Sequence, residues 1–421
     1  MYKLYGGGNK KQWDVFRHNG PFFPKEYTPH KIPVIINNKD VVLPVLAEEY
    51  ITLYANYLGT DYTKNNRFKV NFFKDLKKTL ENINVSSVDD IDMTKIKVYL
   101  DKIKERRKNM SKDEKQKIKE NNDNIQEPYK FCYINGQKQK VGNYRIEPPG
   151  IFLGRGNHPK LGKIKQRINP EDVTINLDKS APIPKPNVSG KWKEVLNDNT
   201  VIWLATWTDT ITNKNKYVFT SMDSIFKSKS DENKFDLARQ LKKKLKNIRD
   251  SYMNDLQNNS DKKKQMATAL YFIENLALRV GGKKDTKENA DTVGVTSLRV
   301  EHLTLLNNDT VKLDFLGKDS IRYCKKIKLN SNVYNNLNYF SQNKNKKEQL
   351  FDLISSSDLN DYLESFMKGL TAKVWRTYNA SNLFQKELDK VKLESVMKIP
   401  ESERINYLIS FFNQANTSVA L

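Results

Sequence analysis

Two residue types are scarce in this 421-residue chain, and a third feature is missing. Cys132 and Cys324 are the only cysteines, and His18, His30, His158 and His302 the only histidines. So few of either support neither a disulfide framework nor a Cys/His zinc site, and no metal is expected. Long apolar runs are absent: no stretch approaches the roughly 18 to 20 continuous apolar residues of a membrane-spanning helix. No charged-then-apolar leader opens the chain. The expectation is a soluble, unsecreted, intracellular protein without a membrane partner, working wherever its ligand is. No internal repeat is found. Acidic residues are in short supply too. Against 73 Lys+Arg stand 50 Asp+Glu, a formal net charge of +23. That balance favours a polyanionic partner, with nucleic acid ahead of acidic membrane.

What is present divides near residue 224. The front half, residues 1–224, is mixed. It opens on an aromatic, basic stretch ("YGGGNKKQWDVFRHNGPFF"), and from Ile96 to Asn124 it is charged nearly all round, with Ser111 and Glu114 in a capping-box pattern. Projecting, solvent-bathed helices are expected there. Between Phe131 and Thr220, short strand-like runs ("VIWLATWTDT", "KYVFT") are broken by Pro/Gly-rich segments. Residues 225–421 read as mainly helical. Leu237, Leu241, Leu245, Ile248 and Tyr252 recur at steps of four, four, three and four, one face of an amphipathic helix whose other face is lysine-rich. The lysines at 242–246 and 262–264 suit either backbone attraction to nucleic acid or a solvated surface. The class expected overall is α+β.

Three cations stand out by position. Arg279 closes an apolar helix beginning near Asp261, and Gly281 is placed to cap it in the left-handed conformation. In "TVKLDFLGKDSIRYCKKI", apolar and polar residues alternate on both sides of Gly317, which predicts a β-hairpin with Lys318 and Asp319 in its turn. Arg376 lies in "LTAKVWRTYNAS". Taken singly, each is better explained as an ordinary exposed cation.

Taken together, the blocks "NLALRVG", "ADTVGVTSLRVEH", "LDFLGKDSIRY" and "GLTAKVWRTYNAS" resemble the catalytic core of eukaryotic-type DNA topoisomerase IB. The front half resembles the cap and core of that family through "FRHNGPFFPKEY", "NFFKDL", "MSKDEKQKIKE", "IEPPGIFLGRGNHPKLG", "PEDVTIN" and "KWKEV". The resemblance covers nearly the whole chain in order. It implies a two-lobed clamp around double-stranded DNA, with a mixed α/β cap lobe at 1–224 and a mainly helical catalytic lobe at 225–421. It also implies relaxation of supercoils through a transient 3′-phosphotyrosine. In that chemistry Arg279 and Arg376 would stabilise the charge on the non-bridging oxygens, and Lys318 would protonate the leaving 5′-oxygen. Arg155, His158 and Asp319 match positions near the DNA at the cleavage point. No cofactor is implied, because the covalent intermediate conserves the bond energy. Consistently, "GNHPKLGKI" has the wrong glycine spacing for a nucleotide-binding loop, and no Ser or Thr follows its lysine.

One departure is large. The family's active site also holds a histidine soon after a run matched here by "NQANTSVAL", and a nucleophilic tyrosine in an "S-K-x-N-Y" box; neither follows before Leu421. Tyr407, in "SERINYL", has a partial match to that box but sits at the position of the spacer before the run. A packed helix tyrosine is the better expectation. The nucleophile is therefore unassigned, to be supplied by a missing segment or a second polypeptide, and this chain alone is expected to be inactive. The alternatives are a non-catalytic duplex clamp and, less compatible with the front half, a tyrosine recombinase.

Overall fold

The computed structural model describes residues 11–81 and 83–420. The first ten residues of the aromatic, basic opening lie outside them. Helix and strand are mixed, and the chain divides into two compact units. One runs to Ser228 and takes in Thr286–Asn289; the other is Lys229–Asp285 together with Ala290 onward. The short stretch at 286–289 is thus grouped with the front residues despite its place in the chain.

The first unit is built from small sheets around two cores. Val34–Ile36 is flanked by Lys39–Val41 and Ile91–Asp92, while Phe131–Ile134 is flanked by Phe16–His18 and Gln137–Lys140. Thr174–Asn176 and Ala205–Thr208 form the centre of a four-stranded sheet, with Ala205–Thr208 antiparallel to Asn215–Val218. These are the "LATWT" and "KYV" runs of the sequence. Aromatic residues fill one core: Tyr54 packs at 4.5 Å from Phe72 and 5.6 Å from Phe68, ring centre to ring centre. The helices Thr94–Asn109 and Lys112–Gln126 bury almost nothing, Ile96 alone between them. Their junction is set by Ser111. Its hydroxyl accepts the Glu114 N–H (3.1 Å) and its own N–H is taken by the Glu114 carboxylate (2.8 Å), two helix-end donors satisfied reciprocally.

The second unit is mainly helical with one three-stranded antiparallel sheet, Leu303–Leu306, Thr310–Leu316 and Arg322–Lys328. The long helix Ile225–Asp255, which belongs to this unit from Lys229 on, starts earlier than the apolar periodicity suggests. It buries Leu241, Ile248 and Tyr252 on the stripe read from the sequence, and Leu237 and Leu245 pack at the edge of the same core. The helix Asp261–Leu276 adds Leu270, Phe272 and Ile273, all fully buried. Each such side chain contributes about 1.5–3 kcal/mol by leaving water. That burial fixes the axis of the helix from whose end Arg279 departs.

Candidate active site

The helix Asp261–Leu276 does not run to Arg279, and Gly281 does not cap it. Ala277 takes the left-handed conformation (φ 52°), its N–H bonded to the Phe272 carbonyl, and the helix stops there. Gly281 serves a different contact. It has φ +80°, and a Cβ built on it would lie 2.7 Å from the Gly294 Cα. Only two facing glycines let these backbones approach so closely. Around them the Val295 N–H donates to the Arg279 carbonyl and the Thr296 N–H to the Val280 carbonyl, both at 2.8 Å. Arg279 is therefore carried on an extended strip pinned to a second strip, with its side chain exposed.

Lys318 is held by the hairpin. Val311, Leu313 and Phe315 point into the core from Thr310–Leu316, and the register pairs Leu316 with Arg322. Beyond that pair the Gly317 N–H closes onto the Ile321 carbonyl at 2.8 Å. Asp319 and Ser320 both take positive φ (66° and 60°), so the chain reverses with Lys318 and Asp319 exposed at its tip. The Val293 N–H donates to the Leu316 carbonyl at 2.8 Å, joining the hairpin to the strip beside Arg279.

Arg376 comes from the helix Ala372–Leu388. Thr371 caps it, accepting the Val374 N–H at 3.3 Å, and Trp375 is fully buried. Asn379, almost one turn on, donates to the Glu274 carbonyl at 2.8 Å and fastens the helix to the end of Asp261–Leu276. Arg376 is half-buried, and its Nε donates to the Ala277 carbonyl at 2.9 Å. Burial, and then the neighbouring Arg279 guanidinium, push the Arg376 guanidinium below its ordinary pKa.

The three cations line one cavity of about 780 Å³, together with Lys284, Asp319, Lys373, Thr292 and Thr377. Among the described residues, Arg279, Lys318 and Arg376 make no ion pair with a carboxylate. Fixed positive charge against open space is an arrangement for a tetrahedral oxyanion such as a phosphodiester. Planar guanidinium forks match such an anion in two-pronged fashion, and an ammonium adds a proton donor. Among the described residues no group of three or more His, Cys, Asp or Glu side chains gathers as a metal site would.

Two lining lysines were not singled out in the sequence. Lys373 precedes Arg376 by three residues, so helical spacing puts both on one face, a signal that was available. Lys284 had none: it reaches the cavity through its hydrogen bond to the Thr292 hydroxyl, across the loop. Arg155 and His158 belong to the first unit. Arg155 is exposed. The His158 Nδ1 accepts the Lys160 N–H at 3.1 Å, and the ring meets Phe152 edge-on at 4.8 Å. Burial, then Lys160 and Arg67, push the His158 pKa down. Its described contacts brace the loop that carries Arg155. Tyr407, on the helix Glu401–Ala420, is exposed and does not line the cavity.

Comparison with known proteins accounts for nearly all of the chain. Residues 11–220 match the family profile described as eukaryotic DNA topoisomerase I, DNA binding fragment, and residues 223–421 the one described as eukaryotic DNA topoisomerase I, catalytic core. The human protein named DNA topoisomerase 1 is 42% identical over 420 residues, covering 97% of this chain and 54% of its own length. The proteins of that name from Candidozyma auris and Caenorhabditis elegans are 41% and 42% identical, over 99% and 97% of this chain and 55% and 52% of theirs. The chain spans about half the length of the curated relatives it matches.

Proposed function

The chain belongs to the eukaryotic DNA topoisomerase I family, and from that premise we propose that it is the core of a type IB enzyme. It binds duplex DNA as a two-lobed clamp, residues 1–224 forming the cap lobe and 225–421 the catalytic lobe, and relaxes supercoils by breaking and resealing one strand. The observation that carries this reading is the shared cavity of Arg279, Lys318 and Arg376, without a carboxylate partner among the described residues.

In the proposed reaction a tyrosine hydroxyl loses its proton to water and its oxygen attacks phosphorus. The new bond joins that oxygen to the 3′-phosphate, and the bond to the 5′-oxygen breaks. Arg279 and Arg376 hold the two non-bridging oxygens, where charge grows in the transition state. Lys318 delivers a proton to the departing 5′-oxygen, and the reverse sequence reseals the strand. Arg155 and Asp319 approach the DNA near the break, and His158 holds Arg155's loop. The tyrosine is supplied by a further segment or by a second polypeptide.

Plasmid relaxation tests this. The chain alone should leave supercoiled plasmid unchanged. Adding a polypeptide that carries the tyrosine box of a relative should relax it without nucleotide. If every such polypeptide fails while duplex binding persists, the chain is a binding clamp and not an enzyme core.

A further inference from the structure

Arg279 and Lys318 come from elements far apart in sequence, yet both depend on residues 291–296. The Arg279 strip is pinned through Val295 and Thr296, and the Lys318 hairpin through Val293. What holds that intermediate segment is a second arginine. The Arg299 guanidinium meets the Asp291 carboxylate through both oxygens, at 2.9 and 2.8 Å. Its own position is fixed in turn. Its Nε is bonded to Glu301, and its backbone N–H donates to the His302 Nδ1 at 3.0 Å. The His302 ring also packs 6.1 Å from Phe315, centre to centre, on the hairpin strand. The Arg299 side chain is 20% exposed and that of Asp291 50%, so the arginine end of the pair is shielded from the screening that weakens surface salt bridges.

We propose that the Asp291–Arg299 pair, seated on His302, is a positioning device that fixes the spacing between Arg279 and Lys318. Neither Asp291 nor Arg299 lines the cavity. They act through the backbone: the pair holds Asp291, Asp291 holds the strip that follows it, and that strip holds one catalytic cation on each side. A two-pronged pair suits this task because it resists rotation as well as separation. The inference rests on the enzymatic reading of the cavity, but part of its test does not.

The variants are Arg299→Gln, Asp291→Asn and the reciprocal exchange of Asp291→Arg with Arg299→Asp. The first measurement is amide hydrogen exchange on the chain by itself. Both single variants should speed exchange at Val293, Val295 and Thr296 by about tenfold or more, leave the buried amides of Asp261–Leu276 unchanged, and be partly rescued by the exchange. The second is strand cleavage by the chain mixed with a tyrosine-bearing polypeptide. At saturating duplex the single variants should cleave on the order of 10²-fold more slowly, the effect of displacing a reacting group by about 1 Å, with half-saturation unchanged. Unaltered exchange at those three amides would overturn the proposal whatever the cleavage rates. Faster exchange with an unaltered cleavage rate would overturn it as well. A wild-type mixture that does not cleave counts against the enzymatic reading instead, and the exchange result then decides this one.

Discussion

Arg279 and Arg376 face a common cavity, whereas Arg249 and Arg322, in the same unit, are each locked to an acid. Arg322 grips both oxygens of Asp314 at 2.8 and 2.7 Å and holds that carboxyl well below its usual range. Arg249 is bonded to Glu274, which also accepts a hydrogen bond from the Tyr252 hydroxyl. The same side chain is thus framework in one place and waiting in another. A half-buried guanidinium beside another guanidinium is destabilising unless an anion joins them, since both burial and like charge disfavour it. The folded unit carries that cost permanently, and the difference separates groups that hold the structure from groups kept for a ligand.

The comparison is open to attack, most strongly at the cavity. Arg376→Ala should slow strand cleavage in the reconstituted mixture by on the order of 10²–10³-fold, the usual cost of losing one transition-state donor. It should leave duplex affinity nearly unchanged, because many backbone contacts share that load. Filter binding beside single-turnover cleavage measures both, and a large loss of binding would put Arg376 on the framework side.

The framework side makes its sharpest prediction in the first unit. His18 is buried, with Nε2 bonded to the Asn176 carbonyl (2.9 Å) and Nδ1 accepting the Gly20 N–H (2.9 Å). Burial lowers its pKa from 6.5 to about 4. The unfolded chain therefore binds a proton that the folded one refuses, so the stability due to this group is complete above the unfolded pKa and lost as pH falls towards the folded one. The loss is about 3 kcal/mol in full and about 2 kcal/mol by pH 5. Urea denaturation of the wild type and of His18→Gln at several pH values isolates it. Parallel pH profiles for the two would remove His18 from the framework set. The smallest effect belongs to Arg249→Met, which leaves Glu274 without its cation. Stability should fall by about 1–3 kcal/mol, with cleavage per folded molecule unchanged. A slowed reaction in a fully folded sample would blur the distinction.

Much of the framework was legible in the sequence because it is local. The Ser111–Glu114 box needs only two intervening positions, the Leu241, Ile248, Tyr252 stripe needs only the helical repeat, and the Lys318 hairpin announces itself by alternation about Gly317. The grouping of the three cations was legible through resemblance, since composition offered no reason to choose Arg279 over other arginines. What failed was long-range. Gly281 looks like a helix cap because glycine is the usual left-handed residue, yet Ala277 takes that conformation and gives its carbonyl to Arg376. Gly281 is kept free for Gly294, thirteen positions on, a pairing that no helical or strand period reveals. Lys284 gave no signal for the same reason: its place depends on a tertiary contact, to which neighbours in sequence are blind.

The contact of Gly281 with Gly294 sets the tolerance of the whole site to error. A single methyl at Gly294 would fall 2.5 Å from the Gly281 nitrogen and 2.6 Å from the Arg279 carbonyl oxygen, with no flexible side chain in the way to yield. The main chain itself would have to part, and the guanidinium it carries would drift with it. One carbon atom, added to a glycine that itself lines the cavity, is enough to move a charge carried on the facing strip.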